Sequence, residues 1–146
     1  MALTDLVHGT NPLLLDLALL IGRVAIGLCF MVHAFGKLGL IGNGSMAGFA
    51  AWLGDLGVPM PAVQARMAML SELVGGALLT IGLATRPAAL VLIITMLVAG
   101  IVGHRGAGYL ITNDPPGAEY TLNLAVGCLM FLLIGPGSIS VDALLF

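Results

Sequence analysis

Four long apolar runs dominate the chain, at about 13–35, 62–83, 87–103 and 118–134. A helix that crosses a bilayer needs ~20 mostly apolar residues, within a working range of ~17–25. Turn signals separate the runs. Val58–Pro61 reads VPMP, Pro87 opens the third run where its missing N–H costs nothing, and Gly135-Pro136-Gly137 closes the fourth. The fourth run is short and carries Glu119 and Asn123 near its start. A tight turn, Gly82 to Arg86, makes the second and third helices antiparallel neighbours. Residues 39–60 are patterned differently: Phe49, Trp52, Leu53 and Leu56 fall on one helical face. That spacing predicts a short interfacial helix over 45–56, with Trp52 at headgroup level. Small residues four apart, Ala18/Gly22, Gly76/Thr80 and Ala99/Gly103, predict close helix approaches. No repeat of fixed period is present. The expected fold is all-α: an integral membrane four-helix bundle with a short interfacial helix between the first two spans, one domain over 1–146.

Composition agrees with that pattern and excludes its rivals. Of 146 residues, 60% are hydrophobic and 8% charged, against about 25% charged in a soluble domain. So few charges cannot coat a water-facing surface, and so many apolar side chains exclude disorder. The net charge of −2 offers no basic field to nucleic acid. The N-terminus lacks the basic region of a signal peptide, so the first run is expected to be retained. Cys29 and Cys128 show no CxxC or metal spacing, and both are expected to pack in the core, as are the methionines. No metal site is expected.

The placement of the charges is more informative than their number. Let side A carry the termini and the 82–86 turn, and side B the two long loops. Arg23 and Glu72 each lie ten residues into a span, near the middle of a ~30 Å hydrocarbon layer. A mid-membrane arginine needs an anionic partner, and Glu72 is expected to supply it, as a structural pair, a functional one or both. Asp16 is expected to be solvated at the side A interface. His33 and Lys37 share a helix face with Arg23. His104 and Arg105 end the third span on side B, where Glu119 and Asn123, four apart, begin the fourth. Lys37 and Arg105 also suit snorkelling span ends, His104 an interfacial cap, and Glu119 a helix N-terminus. The pattern predicts a pocket polar towards side B and apolar towards side A. With Lys37, Arg66 and Arg105 on side B against Arg86 on side A, the positive-inside rule makes side B cytoplasmic.

These residues resemble the DoxX family of small four-helix membrane proteins. The run Gly22-Arg23-x3-Gly27-x2-Phe30-x2-His33-x2-Gly36-Lys37-Leu38 is similar to the family's first-helix signature. Ser71-Glu72-x2-Gly75-Gly76, Gly82-x2-Thr85-Arg86, His104, Gly117-x-Glu119 and Gly135-Pro136-Gly137 follow in the expected order. Ala34 stands where glycine commonly follows the histidine, and Val141-Asp142 where the ending is often Leu-Asp. The resemblance implies a prokaryotic plasma-membrane protein, and it carries over Arg23, His33, Lys37, Glu72, His104 and Glu119 as motif residues. The family takes its name from a small subunit linked to a membrane quinol oxidase and thiosulfate:quinone oxidoreductase.

A quinone-type ligand suits both the residues and the resemblance. Glu72, His33 and Glu119 are the expected proton-handling groups, with Arg23, Lys37, His104 and Asn123 as ligand-binding ones. The sequence has no flavin loop, CxxC or cluster ligands, so electrons must come from a partner oxidoreductase subunit or a second substrate. A homo-oligomer in the lipid bilayer is the other expected assembly. Haem held by His33 and His104 is disfavoured, since one haem would have to bridge the first and third helices. The alternative function is a non-enzymatic assembly or scaffolding subunit, or a small-molecule permease.

Overall fold

A computed structural model describes Gly9 and residues 11–146. The N-terminal segment read above for a signal peptide falls mostly outside these residues. Among the described residues the chain forms six helices and no strand: α1 (Pro12–Leu38), α2 (Met46–Asp55), α3 (Pro61–Ile81), α4 (Thr85–Gly103), α5 (Glu119–Ile134) and α6 (Val141–Leu145).

The helix limits follow from local chemistry. Asn11 caps α1 by accepting from the Leu13 N–H at 3.0 Å, and Pro12 occupies the first turn. Gly39, at φ 75°, ends α1 in the left-handed conformation that glycine takes without strain. This helix is longer than expected because the apolar pattern continues past Phe35 to that glycine. Ser45 caps α2 through the Gly48 N–H, so the short helix lies within the expected 45–56. Gly82, at φ 71°, stops α3 two residues before the expected end. α4 begins two residues early because its first N–H groups are capped from far along the chain. Asp142 accepts from Ala84 N at 2.7 Å and from Thr85 N at 2.9 Å. Helix α6, which carries that cap, was not expected.

α1 packs against α3, α3 against α4 and α4 against α5, while the seam between α5 and α1 is sparser. α2 lies across α3 at the side B end. The core between the helices holds Leu19, Phe30, Leu79, Leu92, Met96, Cys128 and Phe131. Outside it the apolar side chains face away from the protein: Ile21, Ile94, Ile101 and Leu133 are all more than half exposed. Such a surface is a lipid-facing one. α1 and α4 are long and apolar enough to cross a membrane, and α5 is apolar but shorter. Met60, Met67 and Met130 belong to the exposed surface, not to the core expected of them. Among the described residues, Met96 is the methionine that does fill it.

The close α1–α3 approach is made by small residues. A Cβ on Gly27 of α1 would lie 2.6 Å from Gly76 O and 2.9 Å from Thr80 N of α3. Gly76 and Thr80 are therefore a contact face, and their partner on α1 is Gly27. Gly22 receives the Phe131 ring and Gly103 the Trp52 ring.

The C-terminal segment is fastened across side A. Asp142 N donates to Gly82 O at 2.8 Å, and the Asp16 carboxylate accepts from the Ser138 N–H and hydroxyl. Asp16 is thus a structural tie and not merely a solvated end. Partial burial pushes the Asp142 carboxyl up, but the Thr85 and Ala84 donors and the Arg23 charge outweigh it, leaving its pKa below the usual carboxylate value. A carboxylate lowered on folding stabilises the fold above its unfolded pKa and stops doing so as pH falls through the folded value. Thermal melts in detergent should therefore lose stability below about pH 4. Asp142→Asn should flatten that acid limb and lower the plateau at pH 7 by about 1 kcal/mol, as the loss of a helix cap does. An unchanged acid limb would refute the assignment.

Candidate functional site

The Gly27–Gly76 crossing sets the register of the two antiparallel helices. Thr80 then lies opposite Arg23, and Glu72 opposite Met31. Eight residues of helix, about 12 Å, separate the two levels. Side chains lean towards their own helix N-terminus, so Arg23 on α1 leans to side A and Glu72 on α3 to side B. The expected Arg23–Glu72 pair does not form.

Arg23 is 1% exposed, and its guanidinium donates to three backbone carbonyls: Leu79 and Thr80 at 3.3 and 3.1 Å, and Ile139 at 2.5 Å. The first two close the C-terminus of α3, the negative end of its dipole. The guanidinium charge is stabilised by these oxygens and by the field of Asp142. Arg23 is therefore a clasp between α1, α3 and the C-terminal segment, and it does not line the side B pocket described below.

Glu72 pairs with Lys37 instead, at 2.5 Å. Lys37 stands at the side B end of α1 and reaches back down its own helix. The pair is largely dry, with side chains 17% and 6% exposed. The Lys37 ammonium also lies 5.2 Å from the centre of the Phe49 ring. Phe49 stacks with Trp52 at 5.9 Å on α2. These groups border an open pocket of about 580 Å³, lined by Val32, His33, Gly36, Lys37, Ile41, Asn43, Gly44, Ser45, Gly48, Phe49 and Trp52. Trp52, read from sequence as an anchor, is a wall of this pocket.

His33 sits one turn from Lys37 on α1, and its Nε2 lies 2.7 Å from the Tyr120 hydroxyl of α5. The same hydroxyl lies 2.8 Å from Cys29 Sγ. Cys29 is thus half-buried in the α1–α5 seam and engaged in a polar contact, not packed in the core as expected; Cys128 is in the core. Tyr120 and Cys29 were both missed from sequence. Cys29, His33 and Lys37 are each four apart, a row on one helix face, and Tyr120 directly follows Glu119. Reading the cysteine as one of that row would have found it.

The other expected residues are scattered. Glu119 Oε2 accepts from the Ile111 N–H at 3.0 Å, and His104 Nδ1 lies 2.6 Å from Pro116 O. Both shape the 104–118 loop. Asn123 joins Glu119, Tyr120, Ile111 and Leu124 around a smaller hollow of about 300 Å³. The structure therefore brings His33 and Lys37 to one pocket with Glu72 behind them, and Glu119 and Asn123 to a second. It leaves Arg23 and His104 outside both.

Residues 18–105, which run from α1 through α4, match the DoxX family. The chain is also 30% identical over 129 residues to the inner membrane protein YphA of Escherichia coli (strain K12), covering 85% of this chain and 87% of that protein. No solved structure matches it. The family match spans the segment that carries Arg23, His33, Lys37, Glu72 and His104, and the relative extends the likeness over most of the chain. With its lipid-facing apolar helices, the chain is a multi-helix integral protein of a prokaryotic plasma membrane and belongs to the DoxX family.

Proposed function

We propose that α1, α3, α4 and α5 cross the bilayer as a four-helix bundle, that α2 lies in the side B interface, and that the bundle binds a quinone or quinol at side B. In this reading the protein is the membrane subunit of an oxidoreductase system, and its electrons come from a partner subunit or a second substrate. The observation that carries the proposal is the larger pocket. Its volume of about 580 Å³ lies within the ~300–1,000 Å³ usual for small-molecule sites, which are mostly apolar with a few placed polar groups. The stacked Phe49 and Trp52 offer a flat wall for a ring, and His33 and Lys37 offer polar atoms for ring oxygens. The tail has an apolar exit along the lipid-facing surface. Glu72 holds the Lys37 ammonium in place, and Glu119 stands by the second hollow as a proton acceptor.

A short-tailed quinone at a hundred times its Kd should stabilise the detergent-solubilised protein by about 2.7 kcal/mol, a Tm rise of about 5–11 °C. Trp52→Ala should abolish that rise while the unliganded Tm changes little. If no quinone analogue moves the wild-type Tm, the proposal fails. Substrate flux in proteoliposomes without redox partners would then support a permease, and its absence a scaffolding subunit.

A further inference from the structure

We infer that Tyr120 is a further ligand-binding residue and that it selects the reduced, hydroxyl-bearing form of the ring. The inference rests on the quinone reading of the same site and gives it a polarity. The Tyr120 hydroxyl lies 2.7 Å from His33 Nε2 and 2.8 Å from Cys29 Sγ. A phenol has one proton to donate and two lone pairs to offer. It is a stronger donor than a thiol, and an imidazole nitrogen is a stronger acceptor than sulfur. With His33 in its Nδ1–H form, the Tyr120 proton goes to His33 Nε2, and the Cys29 S–H turns to the Tyr120 oxygen. One lone pair is left. With both neighbours in place, Tyr120 can accept a hydrogen bond from a ligand and cannot donate one.

Two charged groups nearby are already engaged. Lys37 is bound to Glu72, and one oxygen of Glu119 takes the Ile111 N–H. Tyr120 is 37% exposed, and its ring centre lies 5.3 Å from that of His33. His33 lines the larger pocket and Tyr120 the smaller, and their contact bridges the sparse α1–α5 seam. A quinol arriving there presents an O–H to a free lone pair. A quinone presents an oxygen to the same lone pair and gains nothing.

The test uses the full chain in detergent, without oxygen, and measures the affinity of three probes by calorimetry: a decyl-tailed benzoquinol, its quinone, and the quinol's dimethyl ether. The ether keeps the shape of the quinol but has no proton to give. Wild type should bind the quinol about five- to tenfold more tightly than either other probe, the worth of one neutral hydrogen bond. Tyr120→Phe retains the ring against His33 and should bring all three within about twofold by weakening the quinol alone. His33→Ala frees the Tyr120 proton, so the quinol preference should vanish and quinone binding tighten. This second variant carries the test if Tyr120→Phe does not fold. A quinol preference that survives either substitution overturns the inference and leaves the quinone reading standing. Failure of all three probes to bind wild type overturns both.

Discussion

Gly27→Val should force α1 and α3 apart and destabilise the fold strongly. The first atom added would fall 2.6 Å from one backbone atom of α3 and 2.9 Å from another. Neither can swing aside as a flexible side chain would, so the helices must separate. Separation would carry Arg23 away from the Leu79 and Thr80 carbonyls, since one crossing holds both contacts. Overpacking alone costs about 1–3 kcal/mol, and a backbone collision lies at the upper end. For a chain of this size ~3 kcal/mol is a Tm loss of about 6–12 °C in detergent. Gly36→Ala is the matched control on the same helix. Its added atom would meet nothing nearer than 3.8 Å, and alanine favours a helix over glycine by about 1 kcal/mol. Its Tm should hold or rise. Equal Tm losses for the two variants would show that the Gly27–Gly76 crossing does not set the register.

Lys37→Met should cost about 3–5 kcal/mol, because it leaves the Glu72 carboxylate buried without its partner. Glu72→Leu should cost a comparable amount by stranding the ammonium. The double variant Lys37→Met/Glu72→Leu should recover most of the loss, since an apolar pair of similar volume replaces a buried ion pair at little net cost. Arg23→Met/Glu72→Leu should show no such recovery, and its two losses should add within about 0.5 kcal/mol, as for sites that do not touch. The two double-mutant cycles thus separate the pairing seen in the structure from the pairing that depth alone suggests. Recovery in the Arg23 cycle and none in the Lys37 cycle would reverse the assignment. The coupled cycle also bears on function, because it removes the Lys37 charge from the pocket wall without leaving a stranded acid. If the ring ligand needs that ammonium, its affinity should fall in the double variant although stability is restored.

Much of the architecture is written in the pattern of apolar and polar residues. Runs of apolar residues long enough for a bilayer, with turns of glycine and proline between them, place all four long helices to within three residues at either end. The period of Phe49, Trp52, Leu53 and Leu56 places α2, because a face of 3.6-residue spacing is a property of the local sequence. The family likeness was equally legible, since a motif is a string. What the sequence did not reveal is which groups meet. Counting residues from the start of each run set Arg23 and Glu72 at one depth, but the relative slide of α1 and α3 is set by where two glycines let the backbones touch. Once Gly27 meets Gly76, the two charges are about 12 Å apart along the axis and lean in opposite directions. Lys37, which looked like a span end free to reach water, reaches back to Glu72. The cap of α4 comes from Asp142, 58 positions beyond Ala84, and no local signal points to it. Tyr120 and Cys29 belong to different helices and become neighbours only where α5 returns to α1. Composition and period thus determined the membrane setting, the elements and the list of polar groups. Only tertiary packing decided their partners, because register between helices depends on close contacts that neither helix encodes alone.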